Sequence, residues 1–288
     1  QTPYTYKDTQ TRYEGKLTYK TDRVAPSELD YDTDQMRVTL SGPNALWQGL
    51  QKSGLKLPGE QFWIASFSGD LTNTFLPTES LSGPVRSDIV DDQWSPRADN
   101  DWSAVGKLTW KFDAERKLNL SHNYQHYVGM GFFLPAEGYP NKFRNILDQY
   151  DVFSLQSIQS QANWKHVLGE DSFYEITLGR QFTRQNSHKN GDPDFTNYVG
   201  PTPNRITDQA GTVYTEGAFI DGDNERWHDH YAEAWTAKGS YSFYGGAGNQ
   251  FKTGIDVSFT EMQLVDLQSQ LGNPPPGKLA IFQDIFVA

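Results

Sequence analysis

Apolar and polar side chains alternate with period 2 along much of this chain. Residues 12–21 put Tyr13, Leu17 and Tyr19 on one face and Arg12, Glu14, Lys16, Thr18 and Lys20 on the other. Extended backbone turns successive side chains to opposite sides, so such a run predicts a strand with two unlike faces. Met36, Val38 and Leu40 alternate with Arg37, Thr39 and Ser41, and Trp63, Ala65 and Phe67 form a third run. The clearest segment interleaves Trp102, Ala104, Gly106, Leu108, Trp110 and Phe112 with Ser103, Val105, Lys107, Thr109 and Lys111. It ends in the polar turn Asp113-Ala-Glu-Arg116, and a return run follows with Leu118, Leu120 and Tyr124 on one side. The same unit recurs around residues 169–172 and 244–250. The pattern predicts strands at 11–21, 35–42, 60–75, 101–112, 117–128, 157–168, 173–185, 229–243 and 251–263, all antiparallel.

The connections carry more information than the strands. Residues 113–116, 169–172 and 244–250 are short links. Residues 76–100, 129–156, 186–228 and 264–288 are long and rich in Pro, Gly, Asp, Asn and aromatics. Long links without structure are uncommon in compact soluble domains. Short turns at one end and long loops at the other are the pattern of an outer-membrane barrel. The link from Pro43 to Gly59 breaks the rule, being long where a short turn is due.

Alternation alone fits a soluble β-sandwich equally well, because its apolar faces turn to a core. Aromatic placement favours the barrel. Trp110, Phe112, Trp164, Tyr174, Tyr241, Phe243 and Phe251 crowd the strand ends beside the short turns, where an interfacial girdle lies. Arg180, Glu233, Glu261, His122, His126 and His166 fall by parity on the apolar face, most of them towards the long links.

Composition removes several classes. Lys and Arg total 25 against 36 Asp and Glu, a net charge of −11, which argues against a nucleic-acid partner. Cys is absent, so there is no disulfide frame, thiolate metal site or cysteine nucleophile. Only 36% of residues are hydrophobic, yet 14% are aromatic. The longest apolar runs, such as Phe62-Trp-Ile-Ala-Ser-Phe67, are far short of a membrane-spanning helix. The chain opens at Gln1 without a leader and stops at Ala288 in mid-pattern, so it reads as a segment of a longer protein.

Several stretches resemble the barrel of TonB-dependent outer-membrane receptors of the Oar-like group. Tyr13-Glu-Gly-Lys-Leu-Thr-Tyr-Lys-Thr-Asp22, Tyr31-Asp-Thr-Asp34 and Arg37-Val-Thr-Leu-Ser-Gly-Pro43 are similar to its first two strands. Gln61-Phe-Trp-Ile-Ala-Ser-Phe67 stands where its third strand belongs. Gly106-Lys-Leu-Thr-Trp-Lys-Phe112 with Arg116-Lys-Leu-Asn-Leu-Ser121, and Asn249-Gln-Phe-Lys-Thr-Gly-Ile-Asp256, look like later hairpins. The resemblance covers most of residues 11–263 and leaves the long loops unmatched. It implies strands one to nine of a barrel of about 22 strands. The TonB box, the plug domain and the closing aromatic strand of that group have no counterpart in the sequence.

Candidate sites are few. Asp221-Gly-Asp-Asn-Glu225 clusters oxygens, but its spacing misses an EF-hand loop, and a solvated acidic loop is the simpler reading. Asn190-Gly-Asp-Pro-Asp194 reads as a turn cluster. In Trp227-His-Asp-His230 two imidazoles share a face if the backbone is extended, without an assignable third ligand. No metal or cofactor is therefore assigned. No nucleophile elbow, P-loop, dinucleotide fingerprint or His-Glu-x-x-His occurs, and Asp91 and Asp92 are a chance pair among many acids, so no enzyme is expected. The loop aromatics Phe132, Phe133, Tyr139, Phe143 and Tyr150 offer rings to a sugar or peptide ligand, or pack their own loop.

The expected fold is all-β: an antiparallel up-and-down transmembrane β-barrel segment, about nine strands of a larger barrel, with long extracellular loops. Parity gives the lumen wall Lys16, Arg37, Lys107, Lys111, Lys165, Glu175, Lys238, Lys252 and Asp256. The resemblance implies residence in the cell outer membrane, contact with its lipid, and uptake of a large or scarce solute. Energy would come from the TonB complex through the plug of the parent chain. The alternative is a soluble secreted β-sandwich that binds carbohydrate through its aromatic loops.

Overall fold

A computed structural model of the chain describes residues 12–22, 32–72, 99–130, 151–189, 200, 202–207, 209–211, 213–222, 226–245, 249–268 and 286–287. The chain is nearly all antiparallel sheet. Its long strands are β1 (Glu14–Thr21), β2 (Asp34–Pro43), β3 (Glu60–Thr72), β4 (Asp99–Lys111), β5 (Arg116–Met130), β6 (Asp151–Val167) and β7 (Ser172–Lys189). A small hairpin, β8 (Thr202–Thr207) and β9 (Val213–Asp221), intervenes before β10 (Arg226–Gly245) and β11 (Asn249–Gln268). A two-residue strand, β12 (Phe286–Val287), pairs with β11 at Gln263 and Leu264.

Apart from β8 and β9, each strand pairs with its neighbours in chain order, from β1 to β12. The nine antiparallel strands expected from the alternation are present, with further structure in the links. The sheet is open: β1 and β12 are its two ends. No helix among the described residues is long and apolar enough to cross a membrane.

Four features depart from the sequence expectation, the first being the link 264–288, whose residues 264–268 continue β11 and whose residues 286–287 form β12. Residues 151–156, read as loop, begin β6, because Asp151 to Gln156 pair with Lys189 to Arg184 of β7. The link 186–228, read as structureless, holds the β8–β9 sheet. Pro203 sits beside a register shift there, and a residue without a ladder donor obscures the period-2 signal. The link after Pro43 contains a helix, α1 (Ala45–Lys52), started by Asn44, whose side-chain oxygen accepts from the Trp47 amide at 3.2 Å.

Directly opposed residues of an antiparallel sheet share a face, so the register fixes which side each residue occupies. Leu17, Val38, Phe67, Ala104, Tyr124, Ile158 and Phe182 are opposed in turn across β1 to β7. Leu120, Ala162, Leu178, Ala237 and Val257 form a parallel row across β5, β6, β7, β10 and β11. This apolar face is uncovered: Leu178 is 54% exposed, Ile255 69% and Phe259 65%. Among the described residues the only buried hydrophobics are Leu71, Val128 and Val152. The fold is held by its ladders of backbone hydrogen bonds, with no second layer packed on the sheet among the described residues.

The short turns are well made. Asp113 accepts from the amides of Glu115 and Arg116 at 2.9 and 2.8 Å and takes a third bond from Arg116 Nε at 2.7 Å. Those bonds, that of the Arg116 side chain first, hold its carboxyl below the usual aspartate range. The turn 169–171 closes through Leu168 N to Ser172 O at 2.9 Å and ties to the next hairpin through Tyr244 N to Asp171 O at 2.7 Å.

Candidate functional site

The polar face is the first candidate surface. Lys16, Arg37, Lys107, Lys111, Lys165, Glu175, Lys238, Lys252 and Asp256 all occupy it by register. Between them run cross-strand pairs of neutral side chains: Thr39 with Ser66 at 2.9 Å, Thr109 with Asn119 at 3.1 Å, and Asn163 with Thr177 at 2.8 Å. Hydroxyl and amide pairs of this kind satisfy each other and still offer lone pairs or protons to water or a solute.

Two shallow concavities gather the charged residues. One, about 330 Å³, joins Lys16 and Arg37 to Lys20, Gln35, Asp70 and Asp101. Gln35 Nε2 donates to Asp70 Oδ2 at 2.8 Å, and Gln125 reaches Asp101 at 3.3 Å. The other, about 370 Å³, joins Glu175, Lys238, Lys252 and Asp256. Lys238 pairs with Asp256 at 2.8 Å, and Lys165 with Glu175 at 3.6 Å. Lys107, Lys111 and Lys165 share the face but line neither hollow. The sequence reading missed Lys20, Gln35, Asp70 and Asp101. Their parity was legible, but their convergence needs the register Lys20–Gln35–Asp70–Asp101 across four strands.

His228 and His230 lie on the same polar face, with Nε2 of the first 2.8 Å from Nδ1 of the second. Among the described residues no group of three His, Asp or Glu converges to hold a metal. Phe132, Phe133, Tyr139, Phe143 and Tyr150 lie outside the described residues, as do 190–194, 223–225 and Asp91 and Asp92.

The apolar face is the second candidate surface, and its margins are aromatic. Beside the short turns, Trp47 meets Trp110 edge-on at 4.8 Å, Trp110 stacks on Phe112 at 4.0 Å, and Phe112 meets Trp164 at 5.4 Å. Trp164 Nε1 donates to the Tyr174 hydroxyl at 3.3 Å, and the His166 ring stands 5.3 Å from that of Tyr174. Tyr241 opposes Tyr174 and Phe243 opposes Phe251, which continues the row to β11. Towards the long links, Phe67 packs on Trp102 at 6.0 Å and Phe182 on Tyr231 at 6.1 Å.

Charged and polar groups on this face have partners on it. Arg180 Nε bonds Glu233 at 2.7 Å, Trp235 Nε1 donates to the same carboxylate at 2.9 Å, and the guanidinium lies 5.5 Å from the Trp235 ring. Tyr231 donates to Glu261 at 2.7 Å. His122 pairs with Ser160 at 2.9 Å and His126 with Ser154 at 3.0 Å. Parity flagged all of these residues except Trp235, Tyr231 and the two serines as misplaced on an apolar face. The cross-strand register supplies the partners that reduce the cost of placing them there.

No family model, curated protein or solved structure matches the chain.

Proposed function

We propose that the chain is a stretch of outer-membrane β-barrel wall, the early strands of a TonB-dependent receptor resembling the Oar-like group. The observation that carries this reading is the uncovered apolar face bordered by aromatic rows. Exposed apolar surface on this scale marks a membrane or protein contact. Tyr174 and Arg184 stand ten residues apart on β7. At about 3.4 Å per residue that is about 34 Å along the strand, and with a tilt near 40° about 26 Å in height. Outer-membrane barrels present an apolar band of about 25 Å.

On this reading the polar face lines the lumen of the parent barrel. Lys16, Arg37, Glu175, Lys238 and Asp256 then present charges of both signs to a passing solute. Movement would be driven by TonB through a plug carried elsewhere in the parent chain, and the long-loop face would make first contact with the solute.

The test is site-directed spin labelling along β7 in phospholipid vesicles, made simple by the absence of native Cys. Labels at Ile176 and Leu178 are expected to collide with oxygen and not with a water-soluble nickel chelate, and labels at Glu175 and Thr177 the reverse. A chain that stays soluble without detergent, with Leu178 shielded from both reagents, would support the carbohydrate-binding sandwich instead. A leader and plug-sized domain encoded upstream would tie the wall to a receptor.

A further inference from the structure

The link that breaks the short-turn rule folds against the end of the sheet. Within it, Trp47 and Gln51, four residues apart on α1, turn towards the sheet. Trp47 meets Trp110 at 4.8 Å and donates to Gly59 O at 3.4 Å, and Gln51 Nε2 donates to the carbonyls of Leu57 and Gly59 at 3.0 and 2.8 Å. Asn44 Nδ2 donates to Gln61 Oε1 at 2.7 Å, and Trp110 Nε1 donates to Pro58 O at 3.0 Å. Gln61 and Trp110 oppose each other on the apolar face of β3 and β4. The link is therefore fastened on the apolar side, at the aromatic row.

Its exposed side chains divide between leucines on one side of α1 and a lysine, four residues from Gln48, on the other. Leu46 and Leu50, a second pair four apart, are exposed, at 74% for Leu46, as is Leu55 at 53%. Lys52 and Lys56 are the only charged residues from Asn44 to Gly59, a local charge of +2 in a chain of net −11. An apolar side with a lysine on the polar side, held level with tryptophans, is the make-up of a segment that lies in the headgroup region of a bilayer.

We propose that α1 and residues 53–57 rest on a phospholipid leaflet at the short-turn side, with Leu46, Leu50 and Leu55 among the upper acyl chains and Lys52 and Lys56 against anionic headgroups. This rests on the barrel-wall reading above. Two observations choose lipid as the occupant: continuity with the aromatic row through Trp47, and charge opposite to that of the chain as a whole. The basic patch and the exposed leucines together fit an anionic leaflet, where a snorkelling lysine keeps its stem in the apolar layer.

Single spin labels at Leu46, Leu50, Gln48 and Leu178 test it, in the full chain reconstituted into phosphatidylethanolamine vesicles containing phosphatidylglycerol. The ratio of oxygen to nickel-chelate accessibility is expected to be several-fold higher at Leu46 and Leu50 than at Gln48, which lies on the opposite side of the helix. It is expected to fall towards the Gln48 value in a Lys52→Glu, Lys56→Glu variant. Equal ratios at Leu46, Leu50 and Gln48 with Leu178 still in lipid would overturn the helix assignment and leave the barrel wall standing. Leu178 in water would overturn the wall itself. Leu46 and Leu50 shielded from both reagents would mean a protein partner and refute the lipid occupant. An unchanged ratio in the double-Glu variant would refute the anionic surface.

Discussion

An arginine placed at the middle of the apolar face tests the reasoning most directly. Leu178 stands four residues from Tyr174 and six from Arg184 on β7, so it sits near mid-height of the band. Its row neighbours are Ala162 and Ala237, and none of the five residues of that row is charged. An arginine there has no acidic partner directly opposite. In a lipid-facing barrel strand this costs about 2–4 kcal/mol at the midplane, falling to about 0–1 kcal/mol at the interface. At 1.4 kcal/mol per factor of ten, the folding equilibrium of Leu178→Arg shifts by about 30- to 700-fold. At the aromatic margin the charge of Tyr174→Arg contributes no more than about fivefold, beside the loss of the bond from Trp164. Thr177→Arg points to the polar face and loses only the bond from Asn163, a cost of about 0.5–1.5 kcal/mol. The assay is reversible unfolding in guanidinium of the chain reconstituted in phospholipid vesicles, followed by tryptophan emission. A cost at residue 178 no greater than at 177, or a cost as large at 174 as at 178, refutes the assignment of this face to lipid.

Three further expectations follow from particular contacts. Removing either partner of Arg180–Glu233 leaves a charge on the apolar face, so Arg180→Ala and Glu233→Ala each destabilise the chain more than the double variant does, in a double-mutant cycle by guanidinium titration. Gly59→Ala is expected to cost about 1–3 kcal/mol in the same titration, because Gly59 has φ 75° and a Cβ there would meet the Lys111 carbonyl. Asp113 titrates below its unfolded value, so the stability it adds is fully present above about pH 4 and is lost as pH falls through the folded value. Unfolding midpoints between pH 2 and 5 are therefore expected to fall less steeply for Asp113→Asn than for the parent chain. Parallel slopes would remove the turn from the account.

Much of the sheet was legible along the chain because period 2 is a local property. The run from Trp102 to Phe112 declares two faces before any partner is known, and Asp113 declares the turn that reverses it. The parity of Lys238 and Asp256 likewise needed only counting. Their 2.8 Å contact needed β10 and β11 in register. The helix α1 escaped notice for a related reason: eight residues carry two turns of amphipathic pattern, too short to stand out between strands.

What the sequence determined by itself is thus the strand identity of the nine alternating segments, the side on which each of their residues falls, and the reversals at the short turns, all set by neighbours a few residues apart. What the tertiary structure alone decided is which distant residues meet. Arg180 finds Glu233, Lys16 and Arg37 share a hollow with Asp70 and Asp101, and Trp47 seats α1 against Trp110. The strand meetings depend on ladder register, and a slip of one residue would turn the side chains of the slipped strand to the other face. Register is settled by hydrogen bonds and side-chain pairs summed over whole strands, which no local window of sequence contains.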